Sequence, residues 1–535
     1  MTNQKNIHFI WLTLALAYLF ASSCKKAENV IIPIPDISIS SSTISEKYIG
    51  DTLKLEPAIS YGGQPANFKY KWYKYVTVNY TPMLKLISEE KALKYPLDSL
   101  GQFQLRLEVT NQSTNVMASN YTTFNVVSRA ERGWYILKAT ADGNTEMDAF
   151  YAGANGQSSI FNIISNKNNG QPMKGLPVGL SFMSNYRYYN NGGSSIVTNN
   201  ACFIPVSTKE AYSYRIKDER IVANTNQIFY EVPAEGTRNF GGIIATSTFT
   251  SIVNNGRLHT MNAGANSFLP DRIGTYSISP YFTQNPVMTG SGYILAFDET
   301  SSSFVNIRTG TTDINYFPDI VLTKASSPST LISSNKLGGK LVFLENTAGS
   351  LDTSLLATTR AYGLLKKTGS SDLQLLGLNM YELLATPNGA THSIVRTSET
   401  LSSSSLPDLT SATLFTLNKN NPILYYVKGN RIGSYNIDTR VHTANAYSLP
   451  NGEEITFIKF IDCQYDNVIT NNFRNLVVAT YLNGKYKVYR FTVLGNTIAQ
   501  TGTLFEGTGK VKSLMFSSPN TTATTGFANS LYTYY

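Results

Sequence analysis

The 535-residue chain is poor in the residues that most often carry chemistry. Its 4 histidines, His8, His259, His392 and His442, lie far apart, and so do its 3 cysteines, Cys24, Cys202 and Cys463. No His-x-x-x-His or Cys-x-x-Cys spacing results, whereas a zinc site needs three or four converging nitrogen or sulfur ligands. So few cysteines exclude a disulfide framework, and Cys202 and Cys463 are read as buried free thiols. Gly-x-Ser-x-Gly is missing, which removes the nucleophile elbow of a serine hydrolase. Nothing in the pattern asks for a cofactor. Charged residues are only 15% of the chain and its basic residues form no cluster, so nucleic acid is excluded as a partner. The net charge of +9 reads instead as a mild attraction to anionic surfaces or polymers. No apolar run approaches the roughly 20 residues that span a bilayer.

The longest such run, Phe9 to Phe20, follows Lys5 and precedes the small residues Ala21, Ser22 and Ser23. Charge, short apolar core and small residues in that order describe a secretory signal. The small residues stop at Cys24, followed by Lys25 and Lys26. This junction resembles a bacterial lipobox, with Ala21 where such motifs most often have Leu. The resemblance implies diacylglycerol on the Cys24 thiol, removal of residues 1–23 as signal peptide, and acylation of the new amine. Two or three acyl chains give stable anchoring. The protein is therefore expected on the outer membrane, lipid-anchored at the cell surface. Residues 24–35 form a tether, extended by Pro33 and Pro35.

What the chain has in quantity is Tyr (34), Phe (26) and Gly (38), against only 3 Trp. Strands and tight turns use those residues, and the fold class is read as all-β. Residues 36–128 alternate with period two, as in Phe68, Tyr70 and Trp72 and again in Phe103, Leu105, Leu107 and Val109. Six or seven such runs in about 95 residues argue for an immunoglobulin-type β-sandwich, with Trp72 in its core. Tyr70-Lys-Trp72-Tyr73 followed by Gly101-Gln-Phe103-Gln-Leu105-Arg-Leu107-Glu-Val109-Thr110-Asn111 resembles the PKD-type module, with Phe103 where that family usually has Tyr.

From residue 129 to 535 the pattern changes to short, nearly continuous apolar runs such as Gly133–Leu137, Gly292–Asp298, Gly339–Phe343, Pro422–Tyr426 and Arg474–Thr480. Runs of that kind suit strands buried on both faces. Hairpin signals follow at Lys428-Gly429-Asn430-Arg431, Asn483-Gly484 and Asn255-Gly256. Related hairpins at irregular spacing suggest a β-propeller of seven blades, with Lys510–Phe516 near its closing seam; a pair of β-sandwiches is the competing arrangement.

Two constellations are candidates for binding. Asp142, Asn144, Glu146 and Asp148 alternate, which on a loop would coordinate calcium, although Asp142-Gly143 is equally a hairpin turn. Tyr186, Tyr188 and Tyr189, among Asn185, Asn190 and Asn191, read either as a loop that stacks on a ligand or as a strand packed between blades. Asp298 and Glu299 at a strand end read as solvated. Gly507-Thr508-Gly509-Lys510 lacks the full spacing of a phosphate loop and reads as a turn. No catalytic residue emerges.

The lipobox, the PKD-like module and the repeat region, with Tyr425-Tyr426-Val427-Lys428-Gly429-Asn430 and Gly507-Thr508-Gly509-Lys510-Val511 as the most specific stretches, together resemble the PKD-like family lipoproteins of the Bacteroidota. That resemblance implies a cell-surface lipoprotein that binds a polymer or its fragments, glycan or peptide. It implies a role as accessory to a SusC/SusD-like outer-membrane uptake system. A propeller lyase or glycosidase with acids from distant blades, or a structural or adhesive surface protein, are the alternatives.

Overall fold

The structure is a computed structural model. It describes residues 35–40, 44, 46–63, 65–78, 81–131, 133–153, 156–189, 196–246, 248–284, 293–308, 310–319, 332–347, 360–383, 393–418, 421–450, 452–460, 475–494 and 497–517. Cys24, His392, Cys463 and the C-terminal tyrosines lie outside the described residues. The chain divides into two compact units, residues 1–126 and 127–535.

In the first unit, a five-stranded sheet runs in the order Glu46–Tyr48, Met117–Val127, Gly101–Asn111, Phe68–Val78, Thr81–Ser88, the last four antiparallel. Two strand pairs, Ile37–Ser40 with Ala58–Tyr61 and Thr52–Leu55 with Leu93–Pro96, complete the unit. The alternation read from the sequence becomes the inward face: Phe103, Leu105, Leu107 and Val109 are all buried, together with Leu53, Leu55 and Trp72. Trp72 also donates its indole N–H to the Glu90 carbonyl at 3.1 Å, which satisfies the one polar atom that burial would orphan.

The second unit is built from antiparallel sheets arranged in sequence, seven of them among the described residues. Most are four-stranded meanders, as in Gly339–Asn346, Arg360–Lys367, Leu373–Asn379 and Val395–Leu401. The expected hairpin turns are in place. Asn255-Gly256 and Asn483-Gly484 both carry positive φ at the two central positions, 49° and 75°, and 51° and 81°, the geometry of the tight hairpin turn that matches strand twist.

Each sheet buries both faces against its neighbours. One apolar cluster joins Phe229, Ile243 and Met261 to Cys202 and Ile204 of the preceding sheet. The next joins Ile244 and Val253 to Ile294 and Val305. Further clusters link Leu295 to Leu365, Phe343 to Tyr426, and Tyr425 to Val478. A last one joins Val477 and Val488 to Tyr135, Met515 and Phe203, and so returns to the start. The C-terminal strand Lys510–Ser517 closes the circle by pairing with Gly133–Ala139 as the first strand of the first sheet. This is a β-propeller: the ring is closed by the last described strand, and each described sheet packs through an apolar cluster against the next.

Candidate functional site

The first strand of each sheet lies nearest the axis, and these strands meet in succession around it. Lys510–Ser517 touches Pro177–Tyr189, which touches Phe240–Ala245; Thr283–Gln284, Gly339–Asn346, Phe415–Leu417 and Glu454–Phe460 continue the circle back to Lys510–Ser517. They enclose a central cavity of about 210 Å³.

A recurring irregularity shapes that cavity. In five of these strands the pairing register slips by one residue, leaving Val178, Gly241, Val342, Thr456 and Lys512 without a partner across the ladder. A bulge inserts one residue into a strand and re-aims its side chain. All five bulged residues line the cavity. Four of them are uncharged and small to medium in size, and the fifth is Lys512.

Lys512 is exposed to the cavity although protein surrounds it. That enclosure lowers the pKa of its ammonium, and the nearby Lys459 charge lowers it further. Lys459 itself is paired with Glu345, the two side chains being only 12% and 13% exposed. The second Glu345 oxygen accepts the Leu417 N–H at 2.8 Å and the Thr416 hydroxyl at 3.3 Å. Glu345 is thus held by a cation and two hydrogen-bond donors, whereas among the described residues no acidic side chain pairs with Lys512.

The residues singled out from the sequence lie elsewhere. Tyr186, Tyr188 and Tyr189 belong to the strand Pro177–Tyr189, not to a loop. Tyr186 is buried and donates its hydroxyl to the Asn266 carbonyl at 2.9 Å. Tyr188 is also buried; its hydroxyl accepts from Arg215 and, at 3.1 Å, from Arg220, whose guanidinium groups lie 5.0 and 5.7 Å from the ring centre. Both rings are therefore occupied by the protein itself. Tyr189 alone is exposed, opposite Ile196 at the end of the strand pair.

The acidic series divides in two. Asp142 is exposed in the turn before the strand Thr145–Gly153, while Glu146 and Asp148 are buried on that strand. Glu146 accepts the N–H groups of Ile164 at 3.2 Å and Ser165 at 3.0 Å and so caps the helix Ile163–Lys167. Burial raises its pKa against the pull of those bonds. Asp148 forms an ion pair with Lys138 at 2.7 Å and accepts the Tyr486 hydroxyl and the Asn162 N–H, each at 2.8 Å. The oxygens that calcium would need are given to Lys138 and to backbone, and no group of three candidate metal ligands occurs among the described residues.

Asp298 corrects the expectation of a solvated carboxylate. It is fully buried and accepts from the Ser277 N–H at 2.8 Å, the Thr300 N–H at 3.0 Å, the Ser301 hydroxyl at 2.6 Å and the Tyr316 hydroxyl at 2.9 Å. Cys202 is a buried free thiol, its pKa pushed up to about 12 by burial. His259 donates its Nδ1–H to the Leu269 carbonyl at 3.1 Å, and His442 Nε2 lies 2.7 Å from the Tyr426 hydroxyl, so both rings are engaged by the protein itself. Gly507 is a packing glycine: a Cβ there would lie 2.5 Å from the Tyr486 ring. Sequence reasoning misses Lys512, because an alternating strand gives it no distinction from Lys510. Only the register slip opposite Leu137 and Lys138 sets it apart.

The PKD-like family matches residues 32–177, a span that includes most of the first unit and runs into the second. No curated protein matches the chain. Among solved structures, a quinonprotein alcohol dehydrogenase-like protein from Bacteroides thetaiotaomicron is similar at 12% identity and a TM-score of 0.37, covering 91% of this chain and 100% of its own. The extracellular domain of a putative one-component system from B. thetaiotaomicron is similar at 12% identity and a TM-score of 0.32, covering 90% and 70%. An exotype rhamnogalacturonan lyase is similar at 8% identity and a TM-score of 0.21, covering 88% and 75%. The propeller described above rests on this chain's own strand pairing, not on these likenesses.

Proposed function

We propose that this protein is a PKD-like lipoprotein of the Bacteroidota, anchored through Cys24 at the cell surface, that binds a polymer or its fragments for a SusC/SusD-like outer-membrane uptake system. The seven sheets are taken as its full set of blades. The central cavity, not a loop bearing Tyr186 and Tyr188, is the ligand site.

The observation that carries this reading is the ring of bulged residues, which presents one unpaired ammonium inside a cavity of otherwise uncharged bulge positions. Glycoside hydrolysis uses a pair of carboxylates across the scissile bond. The described lining holds one carboxylate, Glu345, already neutralised by Lys459, which favours binding over cleavage. No helix among the described residues is long and apolar enough to cross a membrane.

The test is a panel of soluble polysaccharides and peptides presented to the full chain, read by affinity electrophoresis and by product analysis. Retardation by one polymer without new chain ends supports the reading. New reducing or unsaturated ends would replace it with the glycosidase or lyase alternative, and no retardation by any polymer would favour the adhesive one. Two further checks address the location and the partner. Globomycin should block processing before Cys24, and the lipidated protein should co-purify with a transporter component.

A further inference from the structure

We infer that the central cavity recognises the anionic group of an acidic oligosaccharide, with Lys512 as the residue that binds the charge. The inference rests on the cavity being the ligand site proposed above. Its first support is the bulge, which turns a lysine inward at a position where four other blades place Val178, Gly241, Val342 and Thr456. Among the described residues the nearby carboxylates are paired with other lysines, Glu345 with Lys459 and Glu454 with Lys510, which leaves the Lys512 ammonium without a partner of opposite charge. An anionic ligand supplies that partner.

The charge of the lining is a second support. Three charged side chains line the cavity, Glu345, Lys459 and Lys512. Lys459 and Glu345 offset each other. The described lining therefore carries a positive excess at Lys512, and an excess of one sign in a cleft attracts and orients ligands of the other.

The shape and chemistry of the lining favour a sugar over a peptide. Recognition of a peptide uses an extended edge or groove, whereas the residues here ring a pocket. The hydroxyls of Thr413 and Thr456 in the lining suit a hydroxylated ring. The anionic group is a carboxylate or a sulfate ester; both present oxygen acceptors to the ammonium donors of lysine.

Titration calorimetry of the full chain against trigalacturonate, its methyl ester, a sulfated galactan trisaccharide and triglutamate tests the inference. Methyl esterification removes the charge and keeps the sugar. Trigalacturonate or the sulfated trisaccharide should bind about 10- to 100-fold more tightly than the ester, the scale of one charge-assisted bond, and the better of the two identifies the anion. Lys512→Met should reduce that affinity to the level of the ester, while Lys512→Arg should retain most of it, which also shows that the site tolerates substitution. Thr456→Trp, which fills the cavity, should abolish binding altogether. Equal affinity for acid and ester, with Thr456→Trp still abolishing both, would overturn the charge inference and leave the cavity as ligand site. Binding that survives Thr456→Trp would overturn the cavity reading itself. Failure of both acidic sugars to bind, or tighter binding of triglutamate, would also overturn the inference.

Discussion

Replacing Asp148 with Ala should destabilise the propeller far more than removing a charge from its surface. Asp148 is fully buried and Lys138 is 1% exposed. The Lys138 ammonium is ion-paired with the carboxylate, and the Asn162 N–H and the Tyr486 hydroxyl donate to it. Tyr486 belongs to the last sheet and Asp148 to the first, so this carboxylate ties the seam closed by the C-terminal strand. Breaking a buried pair by removing one partner costs roughly 3–5 kcal/mol, because the remaining charge stays buried. Glu146, directly across the ladder from Lys138, screens it in part, which puts the expectation near the lower figure, about 3 kcal/mol. Spread over the unfolding entropy of about 400 residues, at roughly 2.1 cal/mol/K each, that is a fall in Tm of roughly 3–4 °C. Scanning calorimetry of the variant measures it. The double variant Lys138→Met/Asp148→Leu should recover part of the loss, since it removes the orphaned charge but leaves the Tyr486 hydroxyl and the Asn162 N–H without their acceptor. A single variant costing under about 1 kcal/mol, or a double variant as unstable as the single, would refute the argument that an orphaned buried charge sets the cost.

Gly507→Ala should destabilise the last sheet by about 1–3 kcal/mol through overpacking, because the new Cβ would meet the Tyr486 ring opposite it. In a Tyr486→Leu background the same change should cost much less, and additive effects in a denaturant double-mutant cycle would contradict the contact. Asp298→Asn should flatten the acid limb of the stability curve. Burial of Asp298 acts to raise its pKa, but the bonds from Ser301, Ser277, Tyr316 and Thr300 outweigh it and hold the pKa below the usual 3.8. Its stabilisation is therefore present above the unfolded-state pKa and lost as pH falls through the folded one, and an unchanged acid limb in the variant would count against it. Lys512 should react with acetic anhydride at pH 8 faster than Lys340, as mass spectrometry would show, because a depressed pKa leaves more free amine. Equal or slower labelling would contradict the enclosure that lowers it.

The propeller was legible because its signals are local. Asn255-Gly256 and Asn483-Gly484 adopt positive φ, and each follows a strand buried on both faces, Phe249–Asn254 and Asn475–Leu482. The PKD-like unit was legible for the complementary reason, its strands alternating in step with a single buried face. The site was not legible, since it depends on register. Lys510 and Lys512 look alike in sequence, and only the slip opposite Leu137 and Lys138 makes Lys512 the residue that lines the cavity. Tyr186 and Tyr188 looked available because what covers them, Asn266, Arg215 and Arg220, lies about 30 to 80 positions away. Asp298 looked solvated for the same reason: Ser277 and Tyr316 reach it from about 20 positions on either side.

The central claim is that ligand is met inside the propeller, against Lys512. A crystal structure of the full chain soaked with trigalacturonate tests it most directly. The account predicts a sugar ring in the central cavity with an anionic oxygen about 3 Å from the Lys512 Nζ. A sugar bound instead on the outer surface beside Tyr189, with the cavity holding only water, would contradict it.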